Sequence, residues 1–201
     1  YEWLYDTSVT FQTAGDWGAE FDIERPGQGS EIVRYRFPVH GEPLTFGIGD
    51  VVPRTRNLTL NDVGGNLSDR HLTTDPAPDP AMYQMTIADA LGTGKPLVAV
   101  FATPGFCVTR TCGPMVDVVK GVRPEFADRV NFIHVEITDL DATNAKGEVV
   151  YNSFYDEWKL PSEPWTFVVD REGKVFAKFE GVLLPDELRD ALNQLLAQEA
   201  A

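Results

Sequence analysis

The 201-residue sequence has little cysteine, little basic charge and no long apolar run, and each shortage excludes a class of protein. Its longest apolar stretch, PLVAVFA at residues 96–102, is far too short for a membrane-spanning helix. No segment has the charged start, apolar middle and small-residue cleavage site of a signal peptide. The chain opens on Tyr1 and not on Met, which leaves open whether a leader or a longer N-terminal region has been removed. We therefore expect a globular protein with no membrane-spanning segment in this chain.

Basic residues are outnumbered by acidic ones, 17 against 31, which gives a net charge of −14. Such a charge repels a phosphate backbone, and no basic patch is interleaved with aromatic residues. Nucleic acid is therefore not an expected partner, and we interpret the acidity as a contribution to solubility.

The two cysteines, Cys107 and Cys112, are too few to build a disulfide scaffold for a chain of this length. Both lie in the stretch TPGFCVTRTCGPM at residues 103–115, between an apolar run and the start of a predicted helix. On spacing alone they are one bridge, a redox pair, part of a metal site or two ordinary thiols.

Composition divides the chain into three segments. In residues 1–48, alternating apolar and polar residues predict an antiparallel, sandwich-like β region, with a strand at 8–14 before a hairpin, and Trp3, Trp17 and Tyr35 are expected to pack in a core. Residues 49–82 are rich in Pro, Gly, Asn and Asp, which predicts a linker over the surface.

The remaining segment, residues 83–201, alternates between helical and strand patterns. Two apolar runs, at 96–102 and 130–137, predict strands buried on both faces, and a polar loop is expected after the second. A last helix is predicted from Pro185, because apolar residues recur there at helical spacing. The order of elements predicts an α/β fold with a parallel strand pair extended by an antiparallel hairpin.

This segment resembles the thioredoxin-like superfamily. The sequence CGPM at 112–115 stands where thioredoxins carry CGPC, with Met115 in place of the second cysteine, and EPWTFVVDREGKV at 163–175 resembles the loop, strand and turn around their cis-proline. The whole chain looks like bacterial thioredoxin-like proteins that have a Cys-x4-Cys loop after an N-terminal β domain. The resemblance implies a thioredoxin-like fold, a mixed sheet flanked by helices, with Pro164 as the cis residue.

Cys112 is the expected attacking thiol, because the free N–H groups at a helix N-terminus lower the pKa of a cysteine. Cys107, in the loop, is then the expected resolving partner. A cis bond at Pro164 would present the backbone of Glu163 to an extended peptide.

His134 and Glu136 are the titratable residues of the predicted strand VNFIHVEI. Since they are two apart, they are expected to share a face, and each must find partners or shift its pKa. His134 is either a relay for the thiol proton or a neutral core histidine bonded to its neighbours.

Three functions follow, and the sequence leaves all three open. The first is an extracytoplasmic thiol-disulfide oxidoreductase that exchanges disulfides with a cysteine-containing protein through Cys112 and Cys107, without a cofactor. The second is a non-catalytic binding module, or a subunit of a larger complex, with a structural disulfide. The third is a copper site that resembles the Sco-type assembly factors, with Cys107, Cys112 and His134 as ligands.

Overall fold

The computed structural model describes residues 7, 9–27, 29–107 and 110–200. Contacts divide the chain into two compact units, residues 1–44 and 45–201. None of the helices in the described part of the chain has the length and apolarity that a membrane crossing requires.

The N-terminal unit contains one antiparallel hairpin, formed by β1 (Gly15–Arg25) and β2 (Gly29–Val39). Residues 9–14 lie outside any strand, so the third strand predicted at 8–14 is not formed in the described residues, and Ser8 lies outside them. The alternation of apolar and polar residues in the sequence predicted one apolar face of the hairpin, but Trp17 and Tyr35 are 37% and 63% exposed. The expected core packing of these two residues is therefore wrong, and Trp3 lies outside the described residues.

The C-terminal unit is built on a four-stranded mixed sheet of β3 (Leu97–Phe101), β4 (Asn131–Val135), β5 (Trp165–Val169) and β6 (Val175–Glu180). The strand order is β4-β3-β5-β6. Strands β3 and β4 are parallel, whereas β5 pairs antiparallel with both β3 and β6. The predicted thioredoxin-like architecture, a mixed sheet flanked by helices, is confirmed.

Helices cover both faces of this sheet. In chain order they are a 3-10 helix (Pro80–Tyr83), α1 (Ile87–Ala90), α2 (Cys112–Phe126), α3 (Leu140–Lys146), α4 (Ser153–Glu157) and α5 (Pro185–Glu199). The helix α3 lies where a polar loop was predicted. It is short and polar, and it is held by an Asp139 side chain that accepts from the amide of Ala142 and by Gly147 in the left-handed conformation after its last turn.

The core has two layers because successive side chains of β3 point to opposite faces. Val98 and Val100 pack in one layer with residues of α2 and α5. Leu97, Ala99 and Phe101 pack in the other, with the fully buried Trp158. Burial on both faces explains why β3 is a continuous apolar run in the sequence.

The segment predicted as a linker, residues 49–82, belongs to the C-terminal unit by its contacts. Its chain is largely irregular, as its proline and glycine content predicts, but several of its side chains are buried. The Thr55 hydroxyl accepts from the Trp158 indole N–H at 2.8 Å, and Asn57 Oδ1 accepts from the amide of Ile87 at 2.8 Å. The three-part division of the chain stays a prediction, while the contacts place the boundary between compact units at residue 44.

Candidate active site around the cysteine pair

Three chain segments meet at one edge of the sheet. Phe101, the last residue of β3, pairs with Val135, the last of β4, and with Trp165, the first of β5. The residues that follow β3 and β4 therefore lie beside the residues that precede β5. This register brings the cysteine loop, Glu136 and the Glu163–Pro164 peptide to the same edge.

Cys107 and Cys112 form a disulfide, with their Cα atoms 5.9 Å apart. Two residues of the intervening loop, Val108 and Thr109, lie outside the described residues. Cys112 is the first residue of α2, close to the start predicted near Gly113. Its backbone N–H donates to Cys107 Sγ at 3.3 Å. The first N–H of the helix therefore points to Cys107 Sγ.

The two sulfur-bearing residues differ in exposure. Cys112 is 0% exposed and belongs to the core layer that includes Met115 and Val116. Cys107 is partly exposed. Of the two, only Cys107 is accessible to solvent, and the attacking role expected of Cys112 stays a prediction. Cys112 lies at the start of α2, as predicted, but its backbone amide donates to the sulfur of Cys107.

The Glu163–Pro164 peptide bond is cis, as predicted for Pro164. Both residues are buried. The Pro164 carbonyl accepts from the amide of Gly181 at 3.0 Å, which ties the loop to the end of β6. The expected role of Pro164 in presenting backbone to a client peptide stays a prediction.

The side chain of Glu163 is the feature that sequence reasoning missed. It is 7% exposed, and one of its carboxylate oxygens lies within 4.8 Å of both sulfur atoms. Its Oε1 accepts from the Tyr151 hydroxyl at 3.4 Å, whereas Oε2 has no hydrogen-bond partner among the described residues. Burial raises the pKa of Glu163, and the hydroxyls of Thr103 and Tyr151 oppose this rise. An acidic residue directly before the predicted cis-proline was the available signal.

Glu136 is the second buried carboxyl at this edge. Its Oε2 accepts from both the amide and the hydroxyl of Thr74, each at 2.7 Å, and Oε1 has no partner among the described residues. Burial raises the pKa of Glu136 to about 7, against the opposing hydroxyls of Thr103 and Thr74. The expectation that Glu136 must find partners or shift its pKa is met in both respects.

His134 is buried, and both of its ring nitrogens have partners. Nδ1 lies 2.7 Å from the Tyr83 hydroxyl and 3.4 Å from that of Thr73, and Nε2 lies 3.1 Å from the Ala102 carbonyl oxygen. With Nε2–H donating to that carbonyl, Nδ1 is the acceptor nitrogen of the ring and faces the two hydroxyls. Burial lowers the pKa of His134 to about 4, although the bond to Ala102 opposes this shift. These contacts fit the second of the two interpretations of His134, a neutral core histidine bonded to its neighbours.

One group of side chains in the described residues has the spacing of metal ligands, namely Cys107, Cys112 and Glu163. His134 is not a member, so the copper set of Cys107, Cys112 and His134 is not brought together. In the disulfide neither sulfur is a thiolate, and the group has soft ligands to offer only after reduction.

Comparisons with known proteins agree with this fold. Residues 83–196, more than half of the chain, match the family model described as a thioredoxin-like domain. No curated protein matches the sequence. A solved structure from Chlorobium tepidum, provisionally named a thiol:disulfide interchange protein DsbE, is 14% identical with a TM-score of 0.52, and the match covers 76% of this chain and 99% of that one. At this identity the likeness shows the fold alone.

Two further structures match with lower TM-scores. The thioredoxin domain of a thiol-disulfide oxidoreductase from Bacteroides vulgatus is 17% identical with a TM-score of 0.46, over 75% of this chain and 98% of that one. A DsbF homologue from Corynebacterium diphtheriae is 16% identical with a TM-score of 0.43, over 55% and 77%.

Proposed function

This chain belongs to the thioredoxin-like domain family, and from that premise we propose that it is a thiol-disulfide oxidoreductase acting on a cysteine-containing protein. The observation that carries the proposal is the pairing of one partly exposed and one buried cysteine at the start of α2, with the helix amide donating to the exposed one. A static bridge needs no such difference in access.

In the proposed reaction a client thiolate attacks Cys107 Sγ, and the bond between Cys107 and Cys112 breaks. Cys112 leaves with the electron pair, and the client is held by a mixed disulfide to Cys107. A second client thiol then attacks the client sulfur, which yields a client disulfide and two protein thiols. Two electrons pass from the client to the protein, and the reverse sequence reduces a client disulfide.

The same assignment gives Cys107 the nucleophilic role when the protein is reduced. The amide of Cys112 stabilises a Cys107 thiolate, because a charged acceptor bonds an N–H more strongly than a neutral one. Cys112, buried behind it, is the resolving thiol. We assign Pro164, in the neighbouring loop, to the surface that receives the client backbone.

We place this activity in an extracytoplasmic compartment. A disulfide with one accessible sulfur is maintained where thiols are not continually reduced, which favours an oxidising compartment over the cytosol. The partner is then a secreted or surface protein with cysteines.

The experiment is a trapping assay with a synthetic peptide that contains one disulfide. The reduced Cys112→Ser variant is expected to accumulate a mixed disulfide between Cys107 and the peptide, detected by mass spectrometry. The reduced Cys107→Ser variant is expected to form at least about tenfold less adduct, because its remaining thiol is buried. Equal trapping by both variants would contradict the assignment of roles. A wild-type bridge that stays closed throughout a graded glutathione titration of the folded protein would favour a structural disulfide instead.

A further inference from the structure

The disulfide has a carboxyl neighbour whose position is unusual for an acidic residue. Glu163 is almost fully buried, it follows a turn and precedes a buried strand, and one of its oxygens lies within 4.8 Å of both sulfurs. Burying a carboxyl without complete hydrogen bonding is costly, and Oε2 has no partner among the described residues. A carboxyl that is buried at this free-energy cost beside a disulfide is a candidate for a chemical role.

The proposed reaction needs a proton acceptor at this place. When the resolving thiol of Cys112 attacks the mixed disulfide, it must lose its proton, because the thiolate is the nucleophile. Cys112 is 0% exposed, so bulk water does not reach its sulfur, and burial disfavours the thiolate. The amide of Cys112 does not provide the compensation, since it donates to Cys107 Sγ.

The following inference rests on the proposed function. We propose that the Glu163 carboxylate accepts the proton of the Cys112 thiol when this thiol attacks the mixed disulfide, and returns the proton in the reverse step. In the forward step Cys112 Sγ loses H⁺ to Glu163 and attacks Cys107 Sγ. The bond between Cys107 and the client breaks, and the client leaves as a thiolate with the electron pair. In reverse, a client thiolate attacks Cys107, and protonated Glu163 donates to the departing Cys112 sulfur.

The other titratable groups at this edge do not belong to the group that lies within 4.8 Å of both sulfurs. His134 has partners on both ring nitrogens, and the Oε2 of Glu136 accepts two hydrogen bonds from Thr74. Besides the cysteines, the titratable residues that face Glu163 among the described residues are Tyr151 and Tyr155, which stack with ring centroids 4.0 Å apart. Burial raises the pKa of both tyrosines, so they are neutral at physiological pH, and Tyr151 positions the carboxylate through its hydroxyl.

The test compares Glu163→Gln with Glu136→Gln. Both substitutions replace a buried carboxyl near Thr103 by an amide of the same shape, but only Glu163 lies in the group with the two sulfurs. Reduced protein is mixed with the single-disulfide peptide, and release of the peptide from the mixed disulfide is followed by rapid acid quenching. We expect Glu163→Gln to slow resolution at least about tenfold and Glu136→Gln to leave it within about twofold.

The pH profile separates a proton acceptor from a structural residue. In the wild type, resolution is expected to rise with pH as Glu163 ionises and then to level off. In Glu163→Gln it is expected to keep rising with pH, since proton loss then depends on solvent. A Glu163→Gln protein whose rate and pH profile match those of the wild type would overturn the inference. A wild-type protein that forms no mixed disulfide at all would instead overturn the proposed function.

A measurement on the wild type guards against a variant that fails to fold. In the reduced protein, NMR titration of the Cys112 Cβ and Glu163 Cδ shifts is expected to show each nucleus responding to the titration of both groups. Independent single titrations of these two nuclei would also overturn the inference.

Discussion

Two buried polar clusters at the same edge of the sheet differ in how completely they are bonded. In the His134 cluster, the ring nitrogens, the Tyr83 hydroxyl and the Thr73 hydroxyl all have partners. In the Glu163 cluster, one carboxylate oxygen has a long bond to Tyr151 and the other has no partner among the described residues. The comparison teaches that burial alone does not identify a reactive group. A satisfied cluster stabilises the fold, whereas an incompletely satisfied one beside a labile bond is available for chemistry.

The largest expected effect on stability comes from emptying the bonded cluster. His134→Ala removes the partner of the Tyr83 hydroxyl and of the Ala102 carbonyl and leaves a cavity. We expect a loss of about 3–4 kcal/mol of unfolding free energy, measured by urea denaturation. The exposed His71→Ala serves as a control and is expected to change stability by less than about 1 kcal/mol. Wild-type stability of the His134→Ala protein would contradict the claim that the fully bonded cluster stabilises the fold.

The next effect depends on pH and concerns Glu136. Its pKa is raised from 4.5 to about 7 in the folded chain, so between these values the folded state holds a proton that the unfolded state has lost. Its contribution to stability is therefore full below about pH 4.5 and falls by up to about 3 kcal/mol as pH rises to about 7. Glu136→Gln is expected to abolish this loss.

The lowered pKa of His134 acts in the opposite direction over an overlapping window. Its stabilising contribution is full above pH 6.5, the ordinary value, and is lost as pH falls toward about 4. The two slopes partly cancel in the wild type, so Glu136→Gln is expected to leave a stability that rises with pH between about 4.5 and 6.5. Denaturation midpoints measured across this range check the sign, and parallel curves for variant and wild type would refute it.

A smaller effect is expected from removing one hydroxyl of the bonded cluster. Tyr83→Phe keeps the packing of the ring but removes the hydroxyl that lies 2.7 Å from His134 Nδ1 and donates to Thr73 Oγ1 at 3.0 Å. We expect a loss of about 1–2 kcal/mol, measured by thermal or urea unfolding. Tyr35→Phe, on the exposed face of the hairpin, is the matched control and is expected to change stability by less than about 0.5 kcal/mol. Equal effects of the two substitutions would mean that the buried bond contributes nothing.

The smallest effect is expected at the edge of the incompletely bonded cluster. Tyr151→Phe removes the 3.4 Å hydrogen bond to Glu163 Oε1 and keeps the stacking on Tyr155. Because the bond is long and Tyr151 is half-buried, we expect less than about 0.5 kcal/mol in stability and about a twofold slower release of client peptide. A tenfold slowing would assign Tyr151 a larger part in proton transfer than positioning.

Local patterns predicted the elements whose burial follows from their own composition. The strand β3 is apolar at every position, and α5 carries its apolar residues at helical spacing after Pro185, so both were predicted from the sequence. The helix α3 was not predicted because LDATNAK has no apolar stripe. Its capping residues, Asp139 and Gly147, mark its two ends instead. The hairpin was predicted correctly, but alternation says only which side chains share a face and not what covers that face.

The residues that form the site could be predicted from the sequence, but the role of each residue could be predicted less well. The cysteine loop, its helix and the cis-proline followed from sequence and resemblance. Which cysteine faces solvent depends on tertiary packing around the helix start, and neighbouring residues do not encode this. The position of the Glu163 carboxyl depends on strand register, because β3 and β5 meet although more than sixty residues separate them in the chain.

The amide that donates to Cys107 Sγ has a consequence for the direction of electron flow. In a reduced protein that keeps this geometry, the N–H bonds a thiolate more strongly than it bonded a disulfide sulfur. Opening the bridge therefore strengthens a contact within the folded chain, and this contribution makes the pair a better electron acceptor than an unstructured dithiol of the same spacing. Under the proposed function, this contribution favours a client that donates electrons.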